Sequence, residues 1–308
     1  MIDNYLIALL ERLNERGYGF VTPTPVTHAR VLARPDRGAA QGLEDVLGWS
    51  LPFRPGSIDS RIEQLLDDAQ VIERKDGWMR SLVRVSSLHQ RLFLHSAFPT
   101  DAPDAIFFGP DSYRFADLVT AELAGCGLEA GQLIVDVGTG AGVGAIVAAG
   151  LCPEAAVAMT DINPAALRLA RINAEAAGAD AMALLTERLD GIEGSIDIAL
   201  ANPPYLLDAG ERTYRHGGGP LGDQVTLEMT GFILPRLAPA GRLILYSGSA
   251  IVRGEDRMQQ ALAALADVND CALRYREIDP DVFGEELDSP AYAEADRIAV
   301  IAAVFERP

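Results

Sequence analysis

From residue 111 onward, short apolar runs alternate with segments of helical spacing, and this alternation constrains the fold more than any other feature of the chain. Leu133–Val137 is a fully apolar-spaced strand followed by a glycine loop and a helix over Val143–Leu151. Ala156–Thr160 is a second strand, and Pro164–Ala177 a helix that stops at Gly178. Ala183–Thr186, Ile196–Ala201 and Arg242–Ser247 read as further strands. Helices are expected over Tyr113–Cys126, Gly222–Leu237 and Asp256–Ala266, and Cys271–Ile278 and Arg297–Phe305 close the chain as strands. Strands of this kind, buried on both faces between helices, predict an α/β fold: a Rossmann-like, doubly wound, seven-stranded sheet, mostly parallel. The last two strands lack a connection of helix length, which predicts an antiparallel pairing at the edge.

The first hundred residues follow a different pattern. Asn4–Arg16 and Ser60–Gln70 have helical spacing, and Val71–Arg74 and Met79–Ser86 read as a hairpin around Lys75-Asp76-Gly77, with Arg91–His95 as a third run. Helix followed by hairpin is the outline of a winged-helix-like α+β module. The expected organisation is an N-terminal domain over 1–97 that presents substrate or packs, a linker over 98–110 with three prolines, and a catalytic-type domain over 111–308. Arg74, Lys75, Arg80, Arg84 and Arg91 fall on the hairpin region, and a solvated face is the expected reading.

Composition narrows the function. Residues 1–108 hold 12 basic and 14 acidic side chains, but residues 109–308 hold 14 and 30. A main body of that charge repels a phosphate backbone, which disfavours nucleic acid as partner unless a local basic patch docks it. The longest apolar runs, Ala145–Leu151 and Ile298–Phe305, fall far short of a membrane span, so no membrane partner is expected. Acids interrupt the apolar N-terminal stretch, which reads as a helix and not a signal peptide. Cys126, Cys152 and Cys271 are widely spaced without a CxxC pair. That argues against a disulfide framework or a metal site and for a reducing, cytoplasmic setting.

Three segments carry chemistry. Asp136-Val137-Gly138-Thr139-Gly140-Ala141-Gly142 lies where the first strand passes into its helix, and its glycines let backbone approach a ligand closely. The spacing is GxGxG and not the GxGxxG of a dinucleotide fingerprint, because position 143 is valine. Asp161-Ile162-Asn163 follows the second strand, where a carboxylate meets a ribose and where Asp161 and Asn163 also suit a helix cap before Pro164. Asn202-Pro203-Pro204-Tyr205 ends the fourth strand. Two prolines fix the backbone and remove its donors, leaving the Pro203 carbonyl beside the Asn202 side-chain oxygen, a rigid pair suited to a planar NH2 group. Tyr205 offers that group an aromatic face.

GxGxG, the acid after strand two and NPPY after strand four together resemble the class I S-adenosylmethionine-dependent methyltransferases that act on amide or exocyclic amino nitrogens. The likeness is greatest to the release factor glutamine N5-methyltransferases (HemK/PrmC-like) and covers roughly residues 107–308. It implies that Asp136, Gly138, Thr139, Gly140 and Gly142 hold the methionine part of S-adenosylmethionine, whose product is S-adenosylhomocysteine. It further implies that Asp161 takes the ribose, Ile162 packs on the adenine and Glu187 accepts from the adenine amino group. Asn202, Pro203 and Tyr205 would be catalytic, with Asn202 also bordering the cofactor. Phe107–Leu118 stands where the family begins a cofactor-covering helix, without its PRxET wording, and this places Tyr113 on the cofactor.

A last segment, Tyr214-Arg215-His216 followed by Gly217-Gly218-Gly219, reads either as a flexible substrate loop carrying Arg215 and His216 or as a solvated connector. The leading expectation is a methyltransferase acting on a protein glutamine. Alternatives are an exocyclic amine of adenine or guanine in RNA or DNA, a small-molecule enzyme using the same cofactor, or a non-catalytic cofactor-binding module. Sequence does not give the oligomeric state.

Overall fold

The structure, a computed structural model, describes residues 2–208, 210 and 212–308. It opens with α1 (Ile2–Glu15), whose Leu6, Leu9, Leu10 and Leu13 recur at helical spacing and are all buried. The short helices α2 (Pro25–Leu32) and α3 (Leu43–Leu47) follow. At eight and five residues they offer too few turns for periodicity to reveal them, and the sequence reading left them out. Asp59 caps α4 (Ser60–Asp68) by accepting from the N–H groups of Arg61 and Ile62.

Two separate hairpins come next, β1 (Ile72–Lys75) with β2 (Trp78–Ser81), and β3 (Val83–Leu88) with β4 (Arg91–Ser96). The run expected as one strand over Met79–Ser86 is divided at Leu82, where the Ser81 hydroxyl donates to Val83 O at 2.6 Å and turns the chain. Arg91–His95 therefore pairs within the second hairpin and does not complete the first sheet. The basic residues do not share one face either. Arg84 is buried, donating to Gly48 O at 2.8 Å and to the Thr22 hydroxyl at 3.2 Å. Arg80 reaches Phe98 O, and Arg74 pairs with Asp67.

The remainder is the doubly wound sheet. In chain order it comprises α5 (Pro110–Glu122), β5 (Leu133–Val137), α6 (Val143–Leu151), β6 (Ala156–Asp161), α7 (Pro164–Ala176), β7 (Met182–Leu185) and β8 (Ile196–Ala201). It continues with α8 (Gln224–Ile233), β9 (Leu237–Val252), β10 (Glu255–Asp256), α9 (Arg257–Val268), β11 (Ala272–Asp279) and β12 (Ala295–Glu306). Strand order is β11-β12-β9-β8-β5-β6-β7, with β10 pairing on β9 off this path. The run from β9 to β7 is parallel, and the edge strand β11 pairs antiparallel as expected. The reversed strand is β12, inserted between β11 and β9. Chain order runs outward from β5 to β6 and β7 on one side, then returns to β8 on the other. That reversal opens a crevice at the carboxyl ends of β5, β6 and β8.

One apolar cluster runs from Leu6 through Phe93 and Ile146 to Val304, so the N-terminal hairpins share a core with the sheet. A single amide stitches this seam. Asn173, fully buried on α7, accepts from Leu94 N–H at 2.8 Å and donates to Leu94 O at 3.0 Å and Ala141 O at 2.9 Å. The expected linker is packed as well: Ile106 N–H donates to the Ser96 hydroxyl at 2.9 Å, and Phe108 is buried. Among the described residues, no helix is long and apolar enough to cross a membrane.

Candidate functional site

A cavity of about 520 Å³ occupies the crevice, within the size range of small-molecule sites. Its floor is the loop from β5 into α6. Gly138, Gly140 and Gly142 have φ of +69°, +55° and +86°, values that side-chain-bearing residues resist. Gly138, Thr139 and Gly140 line the cavity, but Gly142 does not. It caps α6, and a Cβ there would press to 3.3 Å on Ala170, so it serves the packing of α6 on α7.

Two carboxylates organise this floor. Asp136 is buried, accepting from the Thr139 hydroxyl at 2.6 Å and from Ala145 N–H at 2.9 Å. Burial pushes its carboxyl up to about 6, against the pull of those two donors. Gly144, which the motif reading passed over, belongs to the same arrangement, since a Cβ there would lie 2.7 Å from Asp136 Oδ1. Asp161 accepts from Gly140 N–H at 2.9 Å and, through its other oxygen, from Asn163 N–H at 2.9 Å. Each oxygen keeps a second lone pair, enough for a pair of ribose hydroxyls. The cap of α7 falls to Asn163, which accepts from Ala165 N–H, and Asp161 is left on the cavity wall. Ile162 stands 54% exposed at the rim, an apolar face with nothing of its own chain over it, and Glu187 lines the same end.

The opposite wall is built by the end of β8. Asn202 and Pro203 line the cavity, and among the described residues neither the Asn202 amide nor the Pro203 carbonyl has a hydrogen-bond partner. The Tyr205 ring lies over Gly248 on the extended part of β9, where a Cβ would overlap it, and edge-on to Phe283 at 6.1 Å. Phe283, at φ +55° between β11 and β12, was not legible as a site residue, because nothing local in its sequence points to the cavity.

Tyr113 does not reach the cavity. Its hydroxyl accepts from Thr22 N–H at 3.0 Å and its ring meets Phe108 edge-on, so it faces the N-terminal part. On the same helix Asp111 and Ser112 line the cavity instead.

The segment with Arg215 and His216 lines the cavity and is fastened down. The Tyr214 ring stacks on Phe107 at 5.5 Å, its hydroxyl donates to Thr100 O at 3.0 Å, and Thr213 N–H donates to Pro103 O at 3.3 Å. Arg212 grips Asp208 through two nitrogens, which holds that carboxyl down at about 2. Arg215 pairs with Glu286, and His216 Nδ1 accepts from Asp208 N–H at 3.2 Å. The loop thus forms a tied roof over the cavity together with the segment before α5. Among the described residues no group of His, Cys, Asp and Glu is arranged to hold a metal ion.

The model of the methyltransferase small domain family matches residues 116–215. A release factor glutamine methyltransferase of Moorella thermoacetica is 30% identical over 265 residues, covering 76% of this chain and 90% of that protein. One from Deinococcus radiodurans is 34% identical over 122 residues, which are 36% of this chain and 44% of that one. A ribosomal RNA small subunit methyltransferase C of Serratia proteamaculans is 27% identical over 142 residues, covering 41% of each chain.

Proposed function

The chain belongs to the release factor glutamine methyltransferase family of S-adenosylmethionine-dependent enzymes, and from that premise we propose that it methylates the side-chain amide nitrogen of a protein glutamine. The observation that carries the reading is the unpartnered pair, Asn202 side-chain oxygen and Pro203 carbonyl, held by Pro204 at the wall of the cavity. The floor fits the cofactor: Gly138 to Gly140 admit the close approach of its methionine part, Asp161 offers two oxygens to the ribose, and Ile162 offers an apolar face to the adenine. When bound, the cofactor supplies an electrophilic methyl group on a sulfonium.

The chain's own residues supply the rest. An amide nitrogen is a poor nucleophile because its lone pair is delocalised. By accepting both N–H groups, Asn202 and Pro203 orient the nitrogen and favour the tetrahedral geometry it takes during transfer. Their oxygens are already in place where positive charge develops, so no reorganisation is needed at that moment, and the methylated nitrogen then sheds its surplus proton along its hydrogen bond to the Asn202 oxygen and on to solvent. Tyr205 restricts the plane of the amide, and the tied roof excludes water from the cavity. Cytoplasmic residence is part of this reading and is consistent with three free cysteines.

A nucleobase amine is the second reading, favoured by the likeness to the ribosomal RNA enzyme, since the same pair accepts from any planar NH2 group. The acidity of residues 109–308 weighs against it. The test is tritium-methyl transfer into a purified peptide chain release factor and, in parallel, into cell extract with and without RNase. Label in the factor that disappears when its acceptor glutamine is replaced supports the proposal. Label confined to RNase-sensitive material overturns it.

A further inference from the structure

Two polar side chains at the floor of the substrate half are left over by the mechanism above. The Tyr205 hydroxyl is buried and has no hydrogen-bond partner among the described residues. Asp111, in the first turn of α5, is also buried and lines the same cavity. Its Oδ1 accepts from the Tyr246 hydroxyl at 2.7 Å and has Arg114 at 3.6 Å, while its Oδ2 is not engaged by any described residue. A buried hydroxyl without a partner is destabilising, so an unused donor and an unused carboxylate oxygen lining one cavity call for an account.

We infer that Asp111 is a positioning residue for methyl transfer: its carboxylate gathers the Tyr246 and Tyr205 hydroxyls and thereby fixes the Tyr205 ring against the Asn202–Pro203 pair. The surroundings hold the ring from every other side. Gly248 clears its underside, Phe283 packs in an edge arrangement with ring centres 6.1 Å apart, and the Tyr246 ring stands 6.4 Å away. The hydroxyl end alone has no hydrogen-bond partner among the described residues, and Asp111 lines the same cavity and already holds the hydroxyl of the neighbouring Tyr246. Burial raises the Asp111 carboxyl, and the Tyr246 hydroxyl and Arg114 oppose that rise. The inference rests on the reading above only for the identity of the reaction. The inferred pairing itself does not depend on which acceptor is methylated.

The experiment is a double-mutant cycle with Asp111→Asn and Tyr205→Phe, read twice. In turnover, each single variant is expected to lower kcat about tenfold to a hundredfold, with KM and the Kd for S-adenosylmethionine within about threefold of wild type. The double variant is expected to be no slower than the worse single. In thermal unfolding of the free protein, the Tm shifts of the singles are expected to exceed the shift of the double when summed. Unchanged kcat in Asp111→Asn, or losses that multiply in the double, overturns the inference. Should no protein, RNA or DNA acceptor be methylated, that failure concerns the reaction, and the unfolding cycle decides this point alone. Non-additive shifts then support the pairing and additive shifts overturn it.

Discussion

The two halves of the cavity treat their polar groups in opposite ways. On the cofactor side the carboxylates are tied into the fold: Asp136 by Thr139 and Ala145, Asp161 by Gly140 and Asn163. On the substrate side the Asn202 side-chain oxygen and the Pro203 carbonyl are rigidly placed and, among the described residues, left without partners. On the proposed reading, one half is made of groups that build the structure and bind, while the other holds groups whose bonds are left for the reacting molecule. Substitutions in the first half should therefore disturb folding or affinity, and those in the second should disturb rate.

The largest expected effect tests the second half. Asn202→Ala should lower turnover by about a hundredfold or more, the scale of losing one preorganised electrostatic contact, with unchanged cofactor Kd by calorimetry and unchanged Tm. A comparable loss of affinity would erase the contrast between the halves. Next comes Asp161→Ala, for which calorimetry should show S-adenosylmethionine bound about tenfold to a hundredfold more weakly, since charged hydrogen bonds are worth about 1.5–3 kcal/mol. Wild-type affinity would remove Asp161 from the cofactor.

Gly142→Ala should cost roughly 1–2 kcal/mol in urea unfolding, because φ of +86° strains any side chain and the new methyl meets Ala170. Affinity should change no more than stability does.

A further effect concerns pH. Asp136 titrates higher folded than unfolded, so the folded state holds the extra proton. Its contribution is present in full below the unfolded value and is lost as pH rises through about 6. Urea titrations between pH 4 and 7 should show that decline in wild type and its absence in Asp136→Asn. Asp208 has the opposite sign: its contribution is present above the usual carboxylate range and lost as pH falls toward about 2.

The same contrast explains what could be read from sequence. The strand ends that carry Asp136, Asp161 and Asn202 are local patterns of strand, loop and helix, and each lies where its pattern places it. Residues that reach the cavity through long-range packing left no such signal. Phe283 arrives from the β11–β12 connection, and Phe107 meets Tyr214 across 107 positions of sequence. Tyr113 shows the limit of a helix-start argument, since the helix begins three residues earlier, at Pro110, and that register sends Asp111 and Ser112 inward and Tyr113 outward. The glycines at 217 to 219 suggested mobility, yet Gly217 passes so close to the Gly222 carbonyl that a Cβ would overlap it, which marks a tight crossing.

Asn173 bears on modularity. Its amide uses one acceptor and two donors on Leu94 and Ala141, joining a hairpin of the first hundred residues to the glycine loop. A cut between 97 and 110 would strip that fully buried amide of both its bonds to Leu94 and leave the β4 edge without its partner, at a cost of about 1–3 kcal/mol per orphaned group. The N-terminal segment is thus not an exchangeable cassette: any replacement that alters what the enzyme acts on must bring its own strand edge to residue 173.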